Sequence, residues 1–304
     1  MKYYLSNYGL VVPMSKKNFI KSLLLIRNND FIFLNWFENQ IVNNTKFSIL
    51  GFLKVFFVFL LCRMSLGKFV YVKHNNYPHN CSKKDILKAT WAISVFEKMA
   101  NIVVVHSLTE LNSKRSYIPH PLYESITDTN LLNKGKSYII FGRIVPYKKI
   151  EKVIDIFPSN KKLIIAGICQ DSEYLNKLVK MSESKTNIEI IPKFLTQNEV
   201  KSLVEKSAGM LITHNDDDMI VSGSFFYAMT LRSKVYALET PFFKWAEEKM
   251  GSKYIETFPT LKDLGDILNK PSSSKQEGNL TMIDLFGETA MNETLYSLFN
   301  GEKV

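Results

Sequence analysis

Cysteine is scarce and scattered: Cys62, Cys81 and Cys169 are the three in 304 residues, and no two stand as CxxC. That excludes a disulfide framework and a thiolate zinc site, and it fits a reducing compartment. A membrane-spanning run is missing too. The one segment to weigh, Phe47 to Cys62 (FSILGFLKVFFVFLLC), stops at 16 residues and is interrupted by Lys54, whereas a spanning helix needs about 20. A buried helix is expected there, with a helix lying in the membrane interface as the second reading. No secretory signal is apparent, since Met1 to Tyr8 runs into Gly9, Pro13 and Lys16-Lys17 rather than an unbroken apolar core; a cytoplasmic protein is expected. Acidic residues are thin in the first part of the chain. Residues 1–135 hold 17 Lys and Arg against 7 Asp and Glu, while the remaining 22 of each sign balance. The whole net charge of +10 therefore sits upstream of residue 136, which argues for an anionic partner, nucleic acid or an acidic membrane surface. No aromatic-and-basic recognition motif accompanies the charge, so nucleic acid is not expected as the partner.

What is present is a rhythm of strands and helices. In the first part, weak strand patterns cover Met1–Leu5 and Leu10–Val12, and Lys17–Arg27 has helical character. Asp30–Asn35 reads as a buried strand, Phe47–Cys62 as a helix, Lys68–Lys73 as a strand, Asp85–Ala100 as a helix and Asn101–His106 as a strand. Residues 117–121 form a proline-stiffened exit, and the polar stretch Ile126–Lys136 reads as a linker. Six further strands are predicted at 137–142, 162–166, 187–191, 209–213, 234–238 and 253–257. Helices lie near 149–157, 173–184, 197–206, 223–231, 242–250 and 261–268, and a single helical segment at 282–299. Alternation at this spacing predicts α/β architecture with parallel, doubly wound sheets. The expected division is 1–128 and 129–281, each Rossmann-like, with 282–304 as a terminal helix packing back on the first. Ligands of such sheets bind beyond the carboxyl ends of the strands.

Three loops at those ends carry chemistry. Gly142-Arg143, followed by Lys148-Lys149, places a guanidinium fork and ammonium groups in a strand–turn–helix, an anion cradle suited to a diphosphate. Ser222-Gly223-Ser224 opens a helix with hydroxyls and free N–H groups; capping alone would also account for Ser222. His74-Asn75-Asn76-Tyr77-Pro78-His79 sets two imidazoles at a strand end. Asp216-Asp217-Asp218 contains an Asp-x-Asp pattern that could hold a metal, but it falls inside the second α/β unit; an acidic surface loop is the better reading, and no metal or other cofactor is expected.

These loops resemble those of the GT-B glycosyltransferases of bacterial polysaccharide (O-antigen and capsule) clusters, the glycosyltransferase family 4-like group. Phe141-Gly142-Arg143 through Lys149 is similar to the family's Gly-Arg-x-x-x-x-Lys turn. Residues 71–79 resemble its first-domain strand ending in His-Asn, 118–123 its domain exit, and 221–238 its Ser-Gly helix and following strand. The resemblance implies two Rossmann-like domains facing each other across a cleft, and a metal-independent hexosyltransferase that uses a UDP-sugar in preference to a GDP-sugar. It further implies a polyprenyl-diphosphate-linked glycan as acceptor, and a cytoplasmic protein docked on the anionic inner face of the cytoplasmic membrane. Gly142, Arg143, Lys148, Lys149, Ser222, Gly223 and Ser224 would hold the donor diphosphate and sugar. Phe194 and Glu239 would meet the nucleoside, His74 and Glu38 would be catalytic, and Asn75 and His79 would lie on the acceptor side. Many retaining members carry two glutamates eight positions apart; here Met219 and Tyr227 occupy those places, and retention stays favoured over inversion. A nucleotide-sugar epimerase and a non-catalytic partner subunit of the same fold are the alternatives.

Overall fold

A computed structural model of the chain describes residues 2–13, 18–78, 81–214, 219–269 and 277–302. His79 and Asp216-Asp217-Asp218 lie outside the described residues. Two helices, α1 (Lys2–Leu5) and α2 (Phe19–Leu24), precede strand β1 (Phe31–Asn35). A small ribbon of β2 (Val42–Asn43) and β3 (Lys46–Phe47) leads into α3 (Ile49–Met64). Then come β4 (Lys68–Lys73), α4 (Ile86–Met99), β5 (Ile102–Val105) and β6 (Arg115–Tyr117). The second series runs β7 (Ser137–Phe141), α5 (Ile150–Ile156), β8 (Lys162–Ala166), α6 (Ser172–Ser182), β9 (Ile188–Ile191) and α7 (Gln197–Glu205). It continues through β10 (Ser207–Ile212), α8 (Gly223–Thr230), β11 (Val235–Leu238), α9 (Pro241–Met250) and β12 (Ile255–Phe258). Three helices close it: α10 (Leu264–Asn269), α11 (Met282–Phe286) and α12 (Glu288–Asn300).

Two compact units result. The first takes in the described residues of Met1–His120, Asp217–Val221 and Glu288–Val304; the second, those of Pro121–Asp216 and Ser222–Gly287. The changeover thus falls at 120/121 rather than at 128. Hydrogen bonding explains the shift, because Tyr123 N donates to Thr230 Oγ1 (3.0 Å), Asp128 pairs with Arg232, and Leu132 N donates to the Arg232 carbonyl (2.8 Å). The expected linker is already part of the second unit.

In the first unit the strands run parallel in the order β1-β4-β5-β6. The pleat sorts β4 cleanly. Phe69 and Tyr71 join Val55, Phe59 and Cys62 of α3 and Ala92, Ile93 and Phe96 of α4 on one face. Val70 and Val72 join Met291, Leu295 and Leu298 of α12, with Tyr4 of α1, on the other. That packing is why Lys2–Leu5 is helical rather than extended: a short apolar stretch fits either period, and burial of Tyr4 in the cluster with α12 decides it. Leu10–Val12 is not a strand either. The terminal segment is two helices rather than one. Gly287 ends α11 in extended conformation, and a Cβ there would sit 2.4 Å from the Ile283 carbonyl oxygen.

In the second unit the six strands are parallel in the order β12-β11-β10-β7-β8-β9. From β7 the chain winds outward through β8 and β9, then returns to β10 on the other side. The switch point therefore lies between β7 and β10, where such sheets place their ligands. One face of the sheet buries Ile140, Ile150, Val153 and Leu163. Elsewhere in the unit Phe225, Phe226, Phe242 and Phe286 interlock edge to face, with ring centroids 5.1–5.8 Å apart.

Candidate functional site

At the carboxyl end of β7 the chain turns on Gly142, whose φ of 101° is closed to residues with a Cβ. A Cβ here would also stand 3.1 Å from Lys148 Nζ. Lys148 does not lie on the helix that follows. It ends a 3-10 turn, Pro146–Lys148, and Lys149 crosses into left-handed conformation (φ 56°) before α5 begins. The expected helix terminus is thus replaced by a tighter, self-bonded turn. Lys148 Nζ donates to the Phe141 carbonyl (2.9 Å), and its own carbonyl accepts from Thr213 Oγ1 (2.5 Å) at the end of β10. The turn is tied to both strands of the switch point. Burial, and then the charge of Arg143, lower the Lys148 pKa to about 8. Arg143 is exposed and takes no carboxylate partner among the described residues.

Across the switch point, Ser222 precedes α8 without capping it: its side chain makes no cap bond, and its buried Oγ has no hydrogen-bond partner among the described residues. Capping therefore does not account for this serine. A buried hydroxyl left unsatisfied in a native structure calls for a partner. A cavity of about 580 Å³ opens between these elements, lined by Tyr123, Glu124, Phe141, Gly142, Phe194, Leu195, Gln197, Gly223, Ser224 and Tyr227, with β10 as its floor. The structure brings Gly142, Phe194, Gly223 and Ser224 to this cavity. It leaves Glu239 outside, ion-paired to Lys244 (3.4 Å). Tyr227 stacks on Phe141 (centroids 5.2 Å, planes 20° apart) and meets Tyr123 edge-on (5.8 Å).

The first unit has a cluster of its own at the ends of β1, β4 and β5. His74 lies flat against Trp36, with centroids 3.9 Å apart and planes 4° apart, and Trp36 adopts left-handed backbone (φ 61°). Behind His74 stand His106 at 5.1 Å and, beyond it, His120 at 5.3 Å from His106. His106 Nδ1 donates to the Ile118 carbonyl (2.8 Å). Neither His106, at the end of the predicted strand 101–106, nor His120, within the exit 118–123, was singled out in the sequence, where both are far from His74. Burial foremost, and then the neighbouring imidazole of His120, lower the His74 pKa to about 3. His74 is therefore neutral near pH 7, and an imidazole held neutral so firmly is a poor proton shuttle.

Glu38 is not at the surface. Expected as a base facing an acceptor, it is fully buried, accepting from His74 N (3.1 Å) and from the Tyr71 hydroxyl (3.4 Å). Burial raises its pKa. Its carboxyl fastens the His74 loop to the core. Asn75 is buried as well, and its Nδ2 has no hydrogen-bond partner among the described residues. Among the described residues, no three His, Cys, Asp or Glu converge as a metal site.

No family model matches the chain, and no curated protein does. Solved structures do. Anabaena HepE in complex with UDP-glucose aligns at a TM-score of 0.58 and 13% identity, over 97% of this chain and 83% of that one. The alpha,alpha-trehalose-phosphate synthase (UDP-forming) of Burkholderia xenovorans aligns at 0.52 and 9%, over 99% and 80%. The pneumococcal O-GlcNAc transferase GtfA in complex with UDP and GlcNAc aligns at 0.52 and 12%, over 94% and 56%. At such identities the likeness is one of fold, and the fold is that of the GT-B glycosyltransferases.

Proposed function

We propose that this chain is a glycosyltransferase of the family 4-like kind, moving a hexose from a nucleoside-diphosphate sugar onto a lipid-linked glycan of a bacterial surface polysaccharide. One observation carries the reading. At the switch point of the six-stranded sheet, a cavity of about 580 Å³ is lined by Gly142, beside Arg143, and by Gly223 and Ser224, beside the unsatisfied Ser222 hydroxyl. Arg143 and Lys148, in the turn that follows Gly142, flank the cavity with charge that suits a diphosphate, and its aromatic lining suits a nucleoside. The UDP, UDP-glucose and GlcNAc held by the similar structures support a UDP-sugar over a GDP-sugar.

In this reading the Arg143 guanidinium and the Lys148 ammonium neutralise charge as the diphosphate leaves, without a metal. Inversion would need a base to deprotonate the acceptor. Glu38 is sealed in the core, and burial leaves His74 a weak base, which favours retention of anomeric configuration. Proton NMR of the first-formed product reads that outcome directly; an inverted anomer would overturn it.

The acceptor side rests on α3. Leu50, Leu53, Phe57, Leu61 and Met64 form one exposed stripe, 40–80% accessible, and Leu87 and Trp91 of α4 are exposed as well. Lys54 stands beside the stripe, Arg63 is exposed near the end of α3, and α3 holds no acid. No helix among the described residues is long and apolar enough to cross a membrane. An apolar stripe with cations suits an anionic bilayer surface, and a polyprenyl-diphosphate glycan is an acceptor found there. Arg143→Ala is expected to lower kcat by roughly a hundred- to a thousandfold with an unchanged melting temperature. Near-normal transfer by this variant would remove the diphosphate assignment.

A further inference from the structure

The cavity holds one acid that the reading above leaves unused. We infer that Glu124 reads the ribose of the bound nucleotide, its carboxylate accepting hydrogen bonds from the vicinal hydroxyls. The inference rests on the donor reading and names the group that recognises the sugar of the nucleotide rather than the sugar transferred.

Glu124 is held in place from both sides of the chain. Tyr123 N bonds Thr230 Oγ1 at 3.0 Å just before it, and Asp128 pairs with Arg232 just after. Gln197 Nε2 donates to Glu124 Oε1, which steers the carboxylate; Oε2 takes no hydrogen bond from the described residues. The cavity is lined as well by Tyr123, Phe141, Phe194 and Tyr227, and among the described residues lining it Glu124 is the only acid. An acceptor-only group on an aromatic wall selects a ligand with a flat face and adjacent O–H donors. A nucleoside has both. A carboxylate bonding ribose hydroxyls is how other doubly wound sheets read a nucleotide.

Alternatives within the unit are engaged elsewhere. Glu239 is paired with Lys244 outside the cavity. Tyr227, standing where the resembled family carries a glutamate, is stacked on Phe141. Its phenol pKa is raised by burial first and then by the charge of Glu124, so that charge reaches the cavity wall. A negative group also repels phosphate, so the diphosphate is held away from Glu124.

Calorimetric titration of the whole chain with UDP and with 2′-deoxy-UDP tests the assignment, on the wild type, Glu124→Gln and Glu124→Asp. The wild type is expected to bind UDP at least tenfold more tightly than the deoxy compound, as loss of a hydrogen bond to a charged group implies. Glu124→Gln is expected to bind UDP about tenfold more weakly and to lose most of the discrimination, with Glu124→Asp between the two. Because Glu124 is exposed, the melting temperature of the free protein should not move. If both nucleotides bind and Glu124→Gln discriminates as the wild type does, the ribose assignment falls while the donor reading stands. If the wild type binds no nucleoside diphosphate, both fall.

Discussion

Lys148 shows how one burial sets two opposite pH dependences. Its folded pKa of about 8 lies below the ordinary value of 10.5, so between these values the unfolded chain holds more protons and stability rises with pH. Affinity for a diphosphate runs the other way, because the ammonium is lost above about pH 8. UDP binding is expected to weaken up to tenfold per pH unit beyond that point, and Lys148→Met should flatten the profile. Affinity that stays level through pH 9.5 in the wild type would remove Lys148 from the phosphate site. His74 behaves differently. With a folded pKa of about 3 against 6.5 unfolded, it penalises the folded state below pH 6.5, by about 3 kcal/mol at pH 4. Urea midpoints should therefore fall steeply between pH 6.5 and 4, less so in His74→Gln. That Arg143 and Lys148 share one turn after β7 was legible because spacing along a turn is a local property. The partners of Glu38 were not: the acid follows a strand end, as a base would, and only long-range packing against Tyr71 and the His74 backbone shows that it is interior.

At the scale of elements, periodicity located the strands and helices of the second unit to within a few residues, since parallel strands buried on both faces read as continuous apolar runs. It failed where a short run fits two periods, at Lys2–Leu5, and where one residue breaks a long helical pattern, at Gly287. It also passed over β6, three residues with a polar start that gain their identity only by pairing with β5. The apolar Phe47–Cys62 segment turned out to be two things at once. Val55, Phe59 and Cys62 of α3 face the core, while Leu53, Phe57 and Leu61 face outward. The two faces predict different losses. Phe59→Ala should cost about 3–5 kcal/mol of stability. Phe57→Asp should leave stability nearly unchanged and abolish cosedimentation with vesicles containing phosphatidylglycerol. Undiminished sedimentation of Phe57→Asp would show that α3 is not the contact.

For the molecule as a whole, two cores mean two separable stabilities. The first unit's sheet is covered on one side by α3 and α4 and on the other by α12 with α1. Leu295→Ala should destabilise this unit by about 2–5 kcal/mol and raise amide exchange in β4 and β5, while β7, β8 and β10 keep their protection; equal loss in both sheets would contradict separate cores. The placement of α12 has a further consequence for synthesis. Chains emerge from the ribosome amino end first and fold domain by domain. Yet the residues that cap Val70 and Val72 are Met291, Leu295 and Leu298, which are translated after the second unit's last helix. The stretch made first therefore waits with half its sheet bare, and the stretch made second is the first to be finished.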